Sequence, residues 1–139
     1  MSEREWRAFV THGTRTAALA TTRADGRPHV APIWFVLDDD GSVVFTTAAT
    51  SVKGKALRRD PRASLCIDDE TPPFAFVLIE GTTTIGADLD EMLGWATRIG
   101  GRYMGADQAE AFGRRNAVDG ELLVRLTPER VVARRNIAD

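Results

Sequence analysis

The sequence predicts a mainly β fold with some helix (α+β): an antiparallel sheet curled toward a small barrel, with short helices at its flanks. Two observations carry this. Strand-like apolar runs follow one another with only "ADG" (24–26) or "DDDG" (38–41) between them, which is hairpin turn chemistry. Helical periodicity is confined to three or four short stretches. Consecutive hairpins favour antiparallel pairing, and closure removes the edges such a sheet would expose.

Trp6, Phe9 and Val10 recur at i, i+3, i+4 and Gly13 follows as a stop, which predicts a short N-terminal helix. Three strand-like runs come next, between about Arg15 and Ala49. Pro28 and Pro32 lie in the second, and a proline removes a ladder donor, so that strand belongs at an edge, at a bulge or locally unpaired. "SVKGKALRRD" has Ser51 as a plausible N-cap and Pro61 past its end, which predicts a short helix. "RASLCIDD" and "FAFVLIEGTTTIG" read as strands split by "ETPPF". Asp88, Asp90 and Glu91 open a helix whose stripe is Met92, Leu93, Trp95, Ala96 and Ile99, acids suiting the positive end of the macrodipole. "IGGRYMG" reads as a flexible helix end and "DQAEAFGRRN" as a further helical turn or two. "GELLVRLTPERVVARR" gives two closing strand pieces joined at Thr127–Pro128. The count is six or seven strands in one domain over residues 1–139, with no repeat and no linker.

Of the 139 residues, 43% are hydrophobic and 27% charged, ordinary values for a soluble globular chain. The apolar runs "VAPIWFVL" and "FAFVLI" fall far short of the roughly 20 residues a bilayer span needs, so no membrane role is expected. The charged start "MSEREWRAFV" argues against export, and the single cysteine, Cys66, forbids an internal disulfide, which suits the cytoplasm. A formal net charge of -2 argues against nucleic-acid binding. Yet Lys53, Lys55, Arg58, Arg59 and Arg62 crowd one short span. Thr46, Thr47, Thr50 and Ser51 precede them. A hydroxyl-rich strand end, a helix start and two lysines suit a small anion such as a phosphate; the same residues also suit a solvated surface helix.

"PHVAPIWFVL" also reads two ways. Trp34 and Phe35 are core residues, or a flat conjugated ring lies beside the chain that Pro32 frees near Ile33 and Trp34. Alternation puts Ile33, Phe35 and Leu37 on one face and Val30, Trp34 and Val36 on the other. Both faces are apolar, so one must meet a helix, a second subunit or a cofactor. His12 and His29 are the only histidines, and with one cysteine they form no zinc set, so no metal is expected. No nucleophile elbow or dinucleotide-binding loop is present. With no evident acid, base or nucleophile, the chain is a binding module or leaves its chemistry to a cofactor.

The order of motifs resembles the pyridoxamine-phosphate-oxidase-like split β-barrel proteins, and is similar in particular to their actinobacterial branch that uses the deazaflavin coenzyme F420. The features are the "T-x-R-x-D-G-x-P" hairpin, the "P-I-W-F" strand, "S-x-K-x-x-x-L-R-R-D-P-R" and the ending "R-L-T-P-E-R-V", from about Arg15 to Arg134. The resemblance implies an FMN-binding-like split β-barrel and a homodimer with cofactor sites at the subunit interface. It implies a hydride passed from reduced coenzyme F420 to a small unsaturated organic substrate. By position, Ser51, Lys53 and Lys55 would hold the cofactor phosphate, and Arg58 and Arg59 would guide its polyglutamate tail. Pro32, Ile33 and Trp34 would line the ring with Thr46 and Thr47 below. Pro73 and Phe74, with Tyr103 and Met104, would come from the other subunit. No catalytic side chain is assigned. FMN is the alternative cofactor, and a non-enzymatic cofactor- or haem-binding protein, with His29 as axial ligand, is the alternative class. Members that oxidise pyridoxamine phosphate are longer and carry substrate-phosphate contacts with no counterpart placed here.

Overall fold

The computed structural model describes residues 1–139. The chain opens on helix α1 (Glu3–Thr11), where the Ser2 hydroxyl accepts from the Glu5 N–H and the Glu5 carboxylate accepts from the Ser2 N–H. This reciprocal cap satisfies two donors the helix cannot satisfy itself. Trp6 and Val10 face inward as their spacing requires, and Gly13 turns the chain at φ +55. The remaining elements are β1 (Ala17–Thr22), β2 (Pro28–Ile33), β3 (Val36–Leu37), β4 (Val43–Ala48), α2 (Val52–Arg59), β5 (Arg62–Asp69), β6 (Ala75–Gly86), α3 (Leu89–Met104), a 3-10 turn (Ala106–Gln108), α4 (Ala109–Asn116) and β7 (Glu121–Arg135). Both expected hairpins form, with Gly26 and Gly41 at φ +88.

The seven strands pair in the order β2-β1-β5-β6-β7-β4-β3, antiparallel throughout. The two edge strands, β2 and β3, are consecutive in the chain, with only Trp34 and Phe35 between them. Three Cα steps reach at most about 11 Å. The sheet must therefore curl until its edges nearly meet, and the result is a split barrel. The run expected as one strand across Trp34 is thus two, one at each edge. Pro28 and Pro32 sit on an edge strand, where a missing N–H costs no ladder bond.

The closing segment is one fifteen-residue strand, not two pieces. Thr127–Pro128 is absorbed by a bulge: Glu80 pairs with Arg130 and Gly81 with Pro128. A Cβ on Gly81 would lie 2.0 Å from the Thr127 carbonyl oxygen, so the bulge requires glycine there. The "IGGRYMG" segment is likewise no frayed end. It runs inside α3, where a Cβ on Gly100 would lie 2.6 Å from the Phe112 Cβ. A bare backbone there lets α3 and α4 pack as a tight helical hairpin.

Two apolar clusters follow from strand alternation. Leu19, Phe35, Phe45, Leu65, Ile79 and Val124 fill the barrel with Trp6 and Val10. Val36, Val44 and Leu123 face the other way and meet Met92 and Ile99 of α3. The second apolar face of the Trp34 segment is therefore met in part by α3 and α4. No helix is long and apolar enough to cross a membrane.

Candidate functional site

The site is built around the start of α2. The Ser51 hydroxyl accepts from the Gly54 N–H (3.0 Å), donates to the Ala48 carbonyl (2.7 Å), and lies 3.0 Å from the buried Thr47 hydroxyl. With its proton committed to Ala48, Ser51 fixes where the helix begins. The N–H groups of Val52 and Lys53 then head the helix with no carbonyl of their own turn to bind.

Beside this helix head lies a cavity of ≈300 Å³. It is lined by Pro32, Ile33 and Trp34 from the β2 edge and the link after it, by Thr46, Thr47 and Ala48 of β4, and by Ser51 and Lys53 at the start of α2. Ile99, Phe112 and Asn116 of the helical hairpin and Glu121, the first residue of β7, complete the lining. The order of the sheet brings Glu121 here, since it pairs with Ala48.

Trp34 is held as a rigid wall. The residue is 40% exposed, and its ring stacks on Tyr103 at 4.8 Å and 1° between planes and meets Phe112 at 5.8 Å. Tyr103 is fixed by its hydroxyl, which donates to the Arg15 carbonyl (2.7 Å) and accepts from the Phe35 N–H (3.3 Å). Arg102 donates to the carbonyls of Phe35 (2.7 Å), Val10 (2.7 Å) and Gly13 (2.9 Å). Burial pushes the Tyr103 hydroxyl up and the Arg102 guanidinium down, as expected for groups drawn out of water. These ties lock the two-residue link between the sheet's edges.

Lys53 and Glu121 are the only ionisable groups lining the cavity. Burial raises the Glu121 carboxyl above its ordinary range, and Lys53 opposes that shift. Lys55 does not share the cavity. It lies with Arg59, Arg23 and Arg27 along a separate groove of ≈310 Å³, between α2 and the β1–β2 hairpin. Within it Arg27 pairs with Asp25 (2.7 Å) and Arg59 donates to the Thr22 carbonyl (2.7 Å). The helix thus divides the lysine pair between two depressions. Arg58 is exposed in the last turn of α2, where a cation suits the negative end of the dipole.

Pro73 and Phe74 lie at the β5–β6 turn, bound to the C-terminal segment through Phe74 O and Pro73 O. That turn is at the opposite end of the β6–β7 ladder from Glu121, so within one chain neither residue reaches the cavity. Tyr103, expected from a second subunit, reaches Trp34 within the same chain, and Met104 is exposed. His29 does not line the cavity, and its Nδ1 is buried without a partner. No group of three or more His, Cys, Asp or Glu side chains is placed to hold a metal ion. A larger hollow of ≈530 Å³ on the sheet's outer face is lined by Arg62, Ser64, Glu80 and Arg130, with no aromatic surface. The sequence did not point to Glu121, Ile99, Phe112 or Asn116, which lie far from Lys53 along the chain and carry no motif.

A curled seven-stranded antiparallel sheet whose consecutive edge strands nearly meet, with a cavity against its split, defines the split β-barrel class. The chain belongs to the pyridoxamine 5'-phosphate oxidase family, whose profile matches residues 2–134. A conserved hypothetical protein from Mycobacterium tuberculosis has a solved structure similar over 98% of this chain and 86% of its own, at 30% identity and TM-score 0.86. An F420 reductase matches over 90% of this chain and 94% of its own, at 20% identity and TM-score 0.70. HutZ, the heme storage protein from Vibrio cholerae, matches over 94% and 92%, at 20% identity and TM-score 0.73. The last two likenesses speak to the fold alone.

Proposed function

We propose that the chain is a reductase that binds reduced coenzyme F420 at the cavity beside α2 and acts on a small unsaturated organic substrate, as a cytoplasmic homodimer. The observation that carries this reading is the pairing of two depressions across one helix. The cavity offers an aromatic wall, hydroxyls, free backbone N–H groups and Lys53, which suit a planar ring with a phosphate. The adjoining groove offers Arg23, Arg27, Lys55 and Arg59, which suit a longer anionic tail. FMN, the alternative cofactor, has no tail to use that groove. When bound, reduced F420 supplies a hydride. The chain's own part is to hold the ring against Trp34 and Pro32, to grip the phosphate with Lys53 and to keep water from the site.

The outer sheet face supports a second copy. Pro32, Ala18, Cys66, Leu78 and Val132 stand in one cross-strand row, all on the face away from the core. Within the row Leu78 is 39% exposed, and Val30, on the same face of β2, is 63% exposed. Pro32 belongs to both this row and the cavity, so a partner seated on the face would border the site. A partner would also be the means of bringing Pro73 and Phe74 near it.

Fluorescence titration with F420 and FMN, followed by turnover with reduced F420, tests the reading. Lys53→Ala is expected to weaken F420 about tenfold or more, on the scale of roughly 1.5–3 kcal/mol for a charged hydrogen bond. Lys55→Ala should erase any gain in affinity from a longer polyglutamate tail. Unchanged affinity in both variants, or a monomer by sedimentation, would remove the basis of the proposal. Haem binding without turnover predicts an intense Soret band on titration; the position of His29 outside the cavity speaks against haem held there.

A further inference from the structure

The ionic make-up of the cavity carries a consequence for which phosphate it takes. A site built for a phosphomonoester, which bears up to two negative charges, ordinarily answers with more than one cation. Here six elements, β2, β4, α2, α3, α4 and β7, converge on the cavity and bring one cation, Lys53, and one carboxylate, Glu121. The two share the space without forming an ion pair. Lys55, which would have supplied a second cation, faces the other side of α2. The charges of the lining side chains therefore cancel, and attraction for an anion rests on Lys53 together with neutral donors.

Glu121 is not free to leave. Its residue is the first of β7, opposite Ala48, and the Ala49 N–H donates to the Gly120 carbonyl (2.8 Å) just before it. Ala48 in turn accepts from the Ser51 hydroxyl that starts α2. The start of β7 and the helix head are thus tied to one another through the backbone, and both Glu121 and Lys53 line the cavity, so an anion drawn to Lys53 enters the field of Glu121. Lys53 matches the first negative charge of a bound anion; a second has no further cation to meet in the lining and is left facing Glu121. A unit charge within several ångströms in a partly solvated cavity changes affinity by about an order of magnitude.

We infer that Glu121 is a specificity-determining residue that makes this cavity select singly charged phosphodiesters over doubly charged phosphomonoesters. The inference rests on the proposed placement of a cofactor phosphate beside Lys53. It gives the site a physical means of preferring a phosphate linked on both sides over one that ends a chain, whatever ring is attached.

The test uses two probes with the same ring: riboflavin 5'-phosphate and its methyl ester, which differ by one ionisable oxygen. Binding to the full chain is followed by flavin fluorescence at pH 8, where the monoester carries two charges. The wild type is expected to bind the methyl ester about tenfold more tightly. Glu121→Gln, checked for an unchanged melting temperature, is expected to bring the two affinities within about twofold, mainly by tightening the monoester. A wild type that binds the monoester as well as the diester overturns the inference without recourse to any variant. A ratio unchanged in Glu121→Gln also overturns it, as does failure of both flavin esters to bind beside normal F420 binding. Failure of F420 itself to bind, with the flavin ratio as expected, would instead reject the proposed coenzyme and leave the charge selection standing.

Discussion

Gly54 sits where the sequence and the structure make opposite demands. It is the third residue of an eight-residue helix, and in an exposed helix interior Gly→Ala stabilises by about 0.8–1 kcal/mol. In this fold, however, a Cβ at Gly54 would lie 2.2 Å from the Ala48 carbonyl oxygen and 3.0 Å from the Ser51 hydroxyl. That oxygen cannot simply move, because it accepts from both the Ser51 N–H (3.1 Å) and the Ser51 hydroxyl (2.7 Å). Relieving the overlap costs about 1–3 kcal/mol as overpacking, and disturbing the Ser51 cap costs about 1 kcal/mol more. The helix propensity of alanine offsets about the latter amount. Gly54→Ala is therefore expected to destabilise by about 1–3 kcal/mol, a fall in Tm of about 3–12 °C for a chain of this size. Gly94 provides the control: it is exposed within α3, and nothing lies within 4 Å of a Cβ placed there. Gly94→Ala should stabilise by about 0.5–1 kcal/mol. Urea denaturation of both variants measures the contrast. A Gly54→Ala protein as stable as wild type, or shifts of the same sign in the two variants, would refute the close approach at the head of α2.

Tyr103→Phe keeps the stack on Trp34 but strands the Phe35 N–H and leaves the Arg15 carbonyl only its longer bond from Arg102 (3.4 Å); it should cost about 1–3 kcal/mol in chemical denaturation, and a loss below about 0.5 kcal/mol would show that the hydroxyl is not holding the link between the sheet's edges. Asp38 accepts a 2.6 Å hydrogen bond from Arg125, which with the Asp39 N–H holds its carboxyl below the usual carboxylate range. A folded value below the unfolded one, about 3.9, means the stabilisation is present above that pH and is lost as pH falls through the folded value. Asp38→Asn should therefore be less stable than wild type at pH 7, with the gap closing below about pH 4 in denaturant titrations; a gap independent of pH would contradict the pairing.

Much of this molecule is legible in residue order. Hairpins at "ADG" and "DDDG", a Ser51 cap, the inward faces of Trp6 and Val10, and prolines on an edge strand all depend on contacts within a few residues, where propensity and periodicity decide the outcome. Readings failed where a distant partner overrides local preference. "LTPE" looks like a strand break, yet β6 supplies Gly81 opposite and the strand continues through a bulge. "IGG" looks frayed, yet Phe112 packs on it.

The order of strand-like runs and tight turns settled the class of fold, because local pairing decides it, while the family resemblance pointed to Pro32, Ile33, Trp34, Thr46, Thr47, Ser51 and Lys53, which line one cavity. The folded chain alone reveals that Lys53 and Lys55 part company across α2, that Tyr103 supports Trp34 within the same chain, and that Glu121 joins the site. Those outcomes depend on which way each side of a helix faces and on pairing between β4 and β7, and neither is written in any local stretch of residues.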